Sequence, residues 1–98
     1  MIPVRDQADV IGRAVASVLA QTFAGLEVVV VDDGSSDGSV AAARAVSDGR
    51  VRIVRHDPHG VDTARAVGVR RAHGRWVALL DADDEAAPGW LARMGRLI

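Results

Sequence analysis

Six aspartates in two short clusters carry most of the chemistry this chain of 98 residues can offer: Asp32, Asp33 and Asp37 in one, Asp81, Asp83 and Asp84 in the other. Carboxylate oxygens are hard ligands that suit magnesium or manganese. All 12 basic residues are arginine, and no glycine-rich phosphate cradle with a lysine is present. A diphosphate approaching these clusters would be repelled unless a divalent cation lay between. With the cation in place the carboxylates hold the metal, and the metal holds both phosphates. It would also offset charge building on a departing diphosphate.

Each cluster also has a plainer reading. In Asp32-Asp33-Gly34-Ser35-Ser36-Asp37-Gly38-Ser39, Asp37 is expected to cap the following helix, and the glycines supply unusual backbone angles. Two adjacent carboxylates at the end of a buried strand repel each other, which points to a partner for Asp32 and Asp33. A calcium loop is rejected: its twelfth position holds Arg44 and no helix precedes it. Asp81 and Asp83, read as alternate residues of an extended strand end, share a target. A lone Asp-x-Asp is common on surfaces, so its weight comes from position.

The elements that must supply that position follow from apolar patterning. Leu26 to Val31 and Trp76 to Leu80 are nearly unbroken apolar runs, the pattern of strands covered on both faces. Val51 to His56 alternates like a strand nearer an edge, and Ile2-Pro3-Val4 reads as the tail of a further strand. Between them, Asp9 to Gln21 carries one apolar stripe, with Asp6 as its expected cap. Ser39 to Ser47, Val61 to Ala72 and a segment after Pro88 (Trp90, Leu91, Met94, Leu97) complete the helices. Strand and helix alternate four times. The expected architecture is therefore α/β, a doubly wound, mostly parallel sheet of about four strands. Ligands of such sheets bind beyond the carboxyl ends of the strands, where both aspartate clusters would lie side by side.

Composition excludes several alternatives. A formal charge of −1 argues against a nucleic-acid partner. Without lysine, a receiver-like phosphoacceptor domain and Schiff-base chemistry both lose a required residue. A nucleotidyltransferase would need a glycine- and arginine-rich loop after the first strand, which Val4-Arg5-Asp6-Gln7 does not supply. No cysteine is present, which suits a reducing compartment, and no apolar run approaches a membrane span. The reading is a cytoplasmic protein, with peripheral association at the cytoplasmic membrane face as an option. His56, His59 and His73 mismatch zinc spacings and read as solvated or structural. Trp76 and Trp90 read as core or helix-face packing.

The motifs Ile2-Pro3-Val4, Ser17-Val18-Leu19-Ala20-Gln21-Thr22-Phe23, Val30 through Ser39, Ala64-Arg65, Gly68, Ala72, Gly74 and Leu80-Asp81-Ala82-Asp83-Asp84 occur in one order and spacing. In these the chain resembles the family 2 glycosyltransferases with the GT-A fold, from Ile2 to Leu97. The resemblance implies a nucleoside pocket lined by Pro3 and Val4, with Asp33 accepting a hydrogen bond from the pyrimidine. It implies Asp83 as the direct metal ligand and Asp81 near ribose and metal. Arg65 falls close to the donor, with a pair to Asp62 or to a cluster carboxylate as its alternative. Asp6 belongs with the donor-site residues or is only a helix cap. Arg5 and Asp6 stand where the family often has tyrosine and asparagine, so an aromatic contact to the base is lost, and Ala66 replaces a frequent asparagine.

The reaction implied is metal-assisted transfer of a sugar, with inversion, from a nucleotide diphosphate (a UDP-sugar foremost) to a hydroxyl of a saccharide, lipid or other acceptor. The family's catalytic base falls beyond Ile98. Residues 1–98 are thus expected to be one partial domain, the donor-binding half without the acceptor half, inactive alone. The rival reading is a non-catalytic nucleotide-sugar-binding fragment.

Overall fold

The computed structural model describes residues 1–23 and 25–96. Strand β1 (Ile2–Val4), helix α1 (Ile11–Leu19), strand β2 (Val28–Asp33), helix α2 (Ser39–Ala45), strand β3 (Val51–His56), helix α3 (Val61–Arg71) and helix α4 (Trp90–Gly95) follow in order. The three strands form a parallel sheet in the order β1-β2-β3, with Ile2 opposite Val30 and Val30 opposite Ile53. The α/β, parallel architecture expected from the sequence is the one observed.

Strand β2 is buried along its whole length because it lies between two strands and between two helical layers. Its side chains alternate across the sheet. Val28 and Val30 join Ile2, Val4, Ile11, Ala14, Val15 and Ala43 on the face covered by α1 and α2. Val29 and Val31 pack against Ala64 of α3 on the other face. Each such valine contributes about 1.5–3 kcal/mol when fully buried. The same alternation sends Asp32 to the α1–α2 face and Asp33 to the α3 face.

Segment Trp76–Leu80 is not a strand of the sheet, contrary to its unbroken apolar pattern. It runs beside β1 on two backbone bonds, Met1 N to Ala78 O at 2.6 Å and Leu80 N to Met1 O at 3.1 Å. A bonded pair at one residue does not make a ladder. Nor is the segment covered on both faces: Trp76 is 65% exposed and Leu79 51%. Trp76 therefore lies neither in the core nor on a helix, the two placements expected from sequence. The spatial order is nevertheless Trp76–Leu80, β1, β2, β3. The chain runs outward from β1 through β2 to β3, then returns by α3 to the far side of β1. Helix α3 accordingly lies on the face opposite α1 and α2.

Two helix starts differ from expectation. Helix α1 begins at Ile11 behind an N-cap, Val10, that makes no side-chain capping bond, so Asp6 does not cap it. Helix α4 begins at Trp90 after Gly89, with Pro88 in the turn before it, and Leu97 of the expected helix lies outside the described residues.

Candidate functional site

The reversal of direction on either side of β1 is a topological switch point, where parallel sheets open a crevice beyond the carboxyl ends of their strands. Around it lie the end of β1, the end of β2, the start of α3 and the loop after Leu80. A cavity of about 190 Å³ occupies this edge, lined by Pro3, Val4, Arg5, Gln7, Asp33, Gly60, Val61 and Ala64. Three of the residues predicted for donor binding, Pro3, Val4 and Asp33, thus meet in one place. A larger cavity of about 500 Å³ lies at the opposite end, among Phe23, Leu26, Trp76, Val77 and Leu91. It is apolar and has Glu27 and Arg75 as its charged lining. The small cavity is the one lined by residues predicted for donor binding.

Asp33 is 3% exposed and grips the β3–α3 turn. Its Oδ1 accepts the His59 N–H at 2.9 Å and its Oδ2 the Gly60 N–H at 3.0 Å. Nδ1 of His56 stands 3.5 Å from Oδ1, and the His56 ring stacks on His59 with centroids 5.7 Å apart. Gly34 makes this approach possible. Its φ is +73°, and a methyl group there would meet the Pro58 ring and come within 2.8 Å of the Pro58 nitrogen. A carboxylate has about four acceptor positions, so Asp33 keeps capacity for a ligand.

Asp32, the other member of the pair, is fully buried on the opposite face. Its Oδ2 accepts from Arg55 Nε at 3.1 Å, and its Oδ1 has no hydrogen-bond partner. The two adjacent aspartates avoid mutual repulsion by facing opposite sides of the sheet, each with its own partners.

Asp6 is a brace between loops. It has a φ of 52°, its carboxylate accepts the Ser36 N–H at 2.7 Å, and its own N–H donates to Ser35 Oγ at 2.9 Å. Asp37 acts one residue earlier than a standard cap. Its Oδ1 accepts the Ser39 N–H at 2.9 Å, the Asx-turn pattern, and its Oδ2 accepts the Ala8 N–H at 3.2 Å. The Ser39 hydroxyl, followed by these backbone donors, holds the Asp37 carboxyl below the usual aspartate range. The β1–α1 and β2–α2 loops are thereby locked together beside the cavity.

The second cluster lies one strand away, since β1 separates Trp76–Leu80 from β2; the two clusters are neighbours across β1 and do not abut. Asp81–Asp84 is a tight turn closed by Asp84 N to Asp81 O at 3.0 Å, and not an extended strand end. The turn brings in a residue that spacing missed. Carboxylate oxygens of Asp81, Asp83 and Asp84 all lie within 4.8 Å of one another. Three exposed carboxylates this close could supply oxygens to one octahedral cation after small side-chain rotations, with positions left for other ligands. Arg65 reaches across from α3, placing Nη2 3.3 Å from Asp81 Oδ1 and Nη1 3.5 Å from Asp62 Oδ1. Both pairs proposed for it from sequence are formed.

The acidic turn is held from behind. Ala82 and Ala86 are buried in the α1–α2 core. Ser17 Oγ accepts the Ala86 N–H at 2.8 Å. Gln21 donates to Ala87 O at 3.0 Å and accepts from Leu91 N at 3.1 Å. Ser17 and Gln21 are four residues apart, hence on one face of α1 and its extension.

Comparison with known proteins places this geometry. The model of "Glycosyl transferase family 2" matches residues 1–98. Succinoglycan biosynthesis protein ExoO of Rhizobium meliloti (strain 1021) is 47% identical over 90 residues, covering 91% of this chain and 26% of that protein. ExoU of the same organism is 44% identical over 101 residues, covering 100% of this chain and 28% of that protein. The chain thus spans little more than a quarter of the length of these relatives. The crystal structure of S. aureus TarS 1–349 in complex with UDP superposes with a TM-score of 0.86 at 26% identity, over 100% of this chain and 30% of that one. Motif order, the carboxyl-edge site and these matches agree: the chain belongs to glycosyl transferase family 2.

Proposed function

We propose that this chain binds the nucleotide diphosphate of a sugar donor and forms the donor half of a metal-assisted, inverting sugar transfer. The observation that carries the reading is the pairing, across β1, of a small cavity containing Asp33 with a turn presenting three convergent carboxylates. Asp33 accepts a hydrogen bond from the pyrimidine while its bonds to the His59 and Gly60 amides hold it still. Pro3 and Val4 supply the apolar wall against the nucleoside. Asp81 and Asp83, with Asp84 added by the turn, hold a divalent cation, Mn²⁺ or Mg²⁺. When bound, that cation supplies Lewis-acid neutralisation of the departing diphosphate. TarS, a structural neighbour, is described in complex with UDP, which favours UDP as the carrier.

The attacking hydroxyl needs a general base, and no residue of this chain is assigned that role. Relatives named for succinoglycan biosynthesis favour a saccharide acceptor in polysaccharide assembly. No helix among the described residues is long and apolar enough to cross a membrane. We place the reaction on the cytoplasmic side.

Calorimetry with UDP, with and without Mn²⁺, tests the reading on wild type and Asp83→Asn. UDP is expected to bind wild type at least tenfold more tightly with Mn²⁺, and Asp83→Asn is expected to lose most of that gain. Binding indifferent to both the metal and the substitution would sink the proposal.

A further inference from the structure

Three carboxylates on one exposed turn repel one another, yet cation-free protein must tolerate them. Among the described residues, the cation paired with this trio is Arg65. It comes from a different element, one turn into α3. Its guanidinium lies between Asp81 Oδ1 at 3.3 Å and Asp62 Oδ1 at 3.5 Å. The Asp62 side chain is 97% exposed and that of Asp81 56%, so both pairs are solvated and weakly held. Arg65 therefore engages a carboxylate that the cation reading also requires, and does so with a bond that is easily exchanged.

We propose that Arg65 is a displaceable counter-ion: it holds Asp81 while the cation site is empty, yields that carboxylate when a divalent cation binds, and then pairs with the donor diphosphate. The inference rests on the cation-bridged donor site proposed above. A phosphate oxygen taking a position next to Asp81 on one octahedral cation would stand about 3 Å from the carboxylate oxygen. That is within the sweep of a side chain already touching Asp81. The planar guanidinium suits a phosphate, which it can engage with two parallel bonds. Cation and Arg65 then compete for Asp81 in the absence of nucleotide. With nucleotide present they cooperate, because Arg65 leaves one anion for another, and the coupling must be reciprocal. The device would weaken binding of cation alone and favour arrival of cation and diphosphate together.

The test measures Mn²⁺ uptake without nucleotide, by the electron paramagnetic resonance signal of free Mn²⁺, on wild type, Arg65→Gln, Arg65→Lys and Asp83→Asn. UDP affinity at saturating Mn²⁺ is measured on the same four. Arg65→Gln keeps the aliphatic stem and removes the charge, and a melting curve checks its fold. It is expected to take up Mn²⁺ about three- to tenfold more tightly, the scale of removing one solvated charge beside a ligand. Its UDP affinity at saturating Mn²⁺ should fall about tenfold. Arg65→Lys keeps the charge, so Mn²⁺ uptake should stay near wild type while UDP binding weakens part of the way. Unchanged or weaker Mn²⁺ uptake in Arg65→Gln overturns the counter-ion role. If Asp83→Asn abolishes uptake in that case, the cation site stands and only Arg65's role falls. Absence of nucleotide-free Mn²⁺ uptake by every protein, Arg65→Gln included, overturns the counter-ion role, and UDP affinity that is also indifferent to Mn²⁺ overturns the cation site.

Discussion

Asp33 shows how one carboxylate can be both structural and available. Its two oxygens hold the amides of His59 and Gly60, which fixes the wall of the cavity, and each oxygen keeps a further acceptor position. Asp37 is the purer structural case, because its bonds to Ser39 and Ala8 tie two loops and leave it outside the cavity lining. Its folded pKa is depressed below the ordinary 3.8, with the Ser39 hydroxyl as first cause. The sign follows from linkage: the stabilisation is fully present above 3.8 and is lost as pH falls through the lower folded value. Asp37→Asn should therefore lower the melting temperature at neutral pH, and the gap from wild type should close below pH 3.8. Melting curves recorded from neutral pH down to acid check this; a gap constant with pH would deny the carboxylate its role. Asp6 and Asp84 mark the limits of reading residues from a linear chain. Capping rules look a few residues ahead, whereas the partner of Asp6 is Ser36, 30 residues away. Asp84 joins the trio only because the backbone turns back on Asp81.

Elements decide whether the acidic turn is presented rigidly. Ser17 and Gln21 on the α1 side bond the chain at Ala86, Ala87 and Leu91, so the turn is fastened to the most buried helix. Gln21 is 7% exposed and satisfies three backbone groups, including one from its own helix at Ser17. Gln21→Ala should cost about 1–3 kcal/mol by leaving buried groups unpaired. Amide hydrogen exchange should show faster exchange at Leu91 and through α4, with β2 unchanged. Equal protection in both proteins would show that α4 is held by packing alone. The valine run of β2 was legible because a strand with neighbours on every side needs apolar residues everywhere. Trp76–Leu80 carries the same signal, but apolar content counts side chains and not hydrogen-bond partners. One residue, Met1, supplies its bonded neighbour. Similarity of pattern thus concealed a difference in pairing. Helix α3, by contrast, matched its reading within a residue, and Ala64 and Gly68, four residues apart on its expected inner side, are the residues it buries.

At the scale of the molecule, the return of the chain across β1 matters more than any single motif. It places the β1–α1 loop, the β2–α2 loop, the start of α3 and the acidic turn at one edge. Sequence reasoning located that edge because strand-ending aspartates are visible in one dimension. It did not foresee that β1 would stand between the clusters, since strand order is a property of the sheet. The most direct test of the carboxyl-edge account is an amide chemical-shift titration of the protein with UDP in the presence of Mg²⁺. A donor site at this edge gives shifts concentrated at Val4, Asp33, Gly60, Ala64 and the Asp81–Asp84 turn, with those at the turn lost when Mg²⁺ is withdrawn. Shifts centred instead on Phe23, Trp76 and Leu91 around the larger cavity, or a response at the turn that does not depend on Mg²⁺, would contradict it.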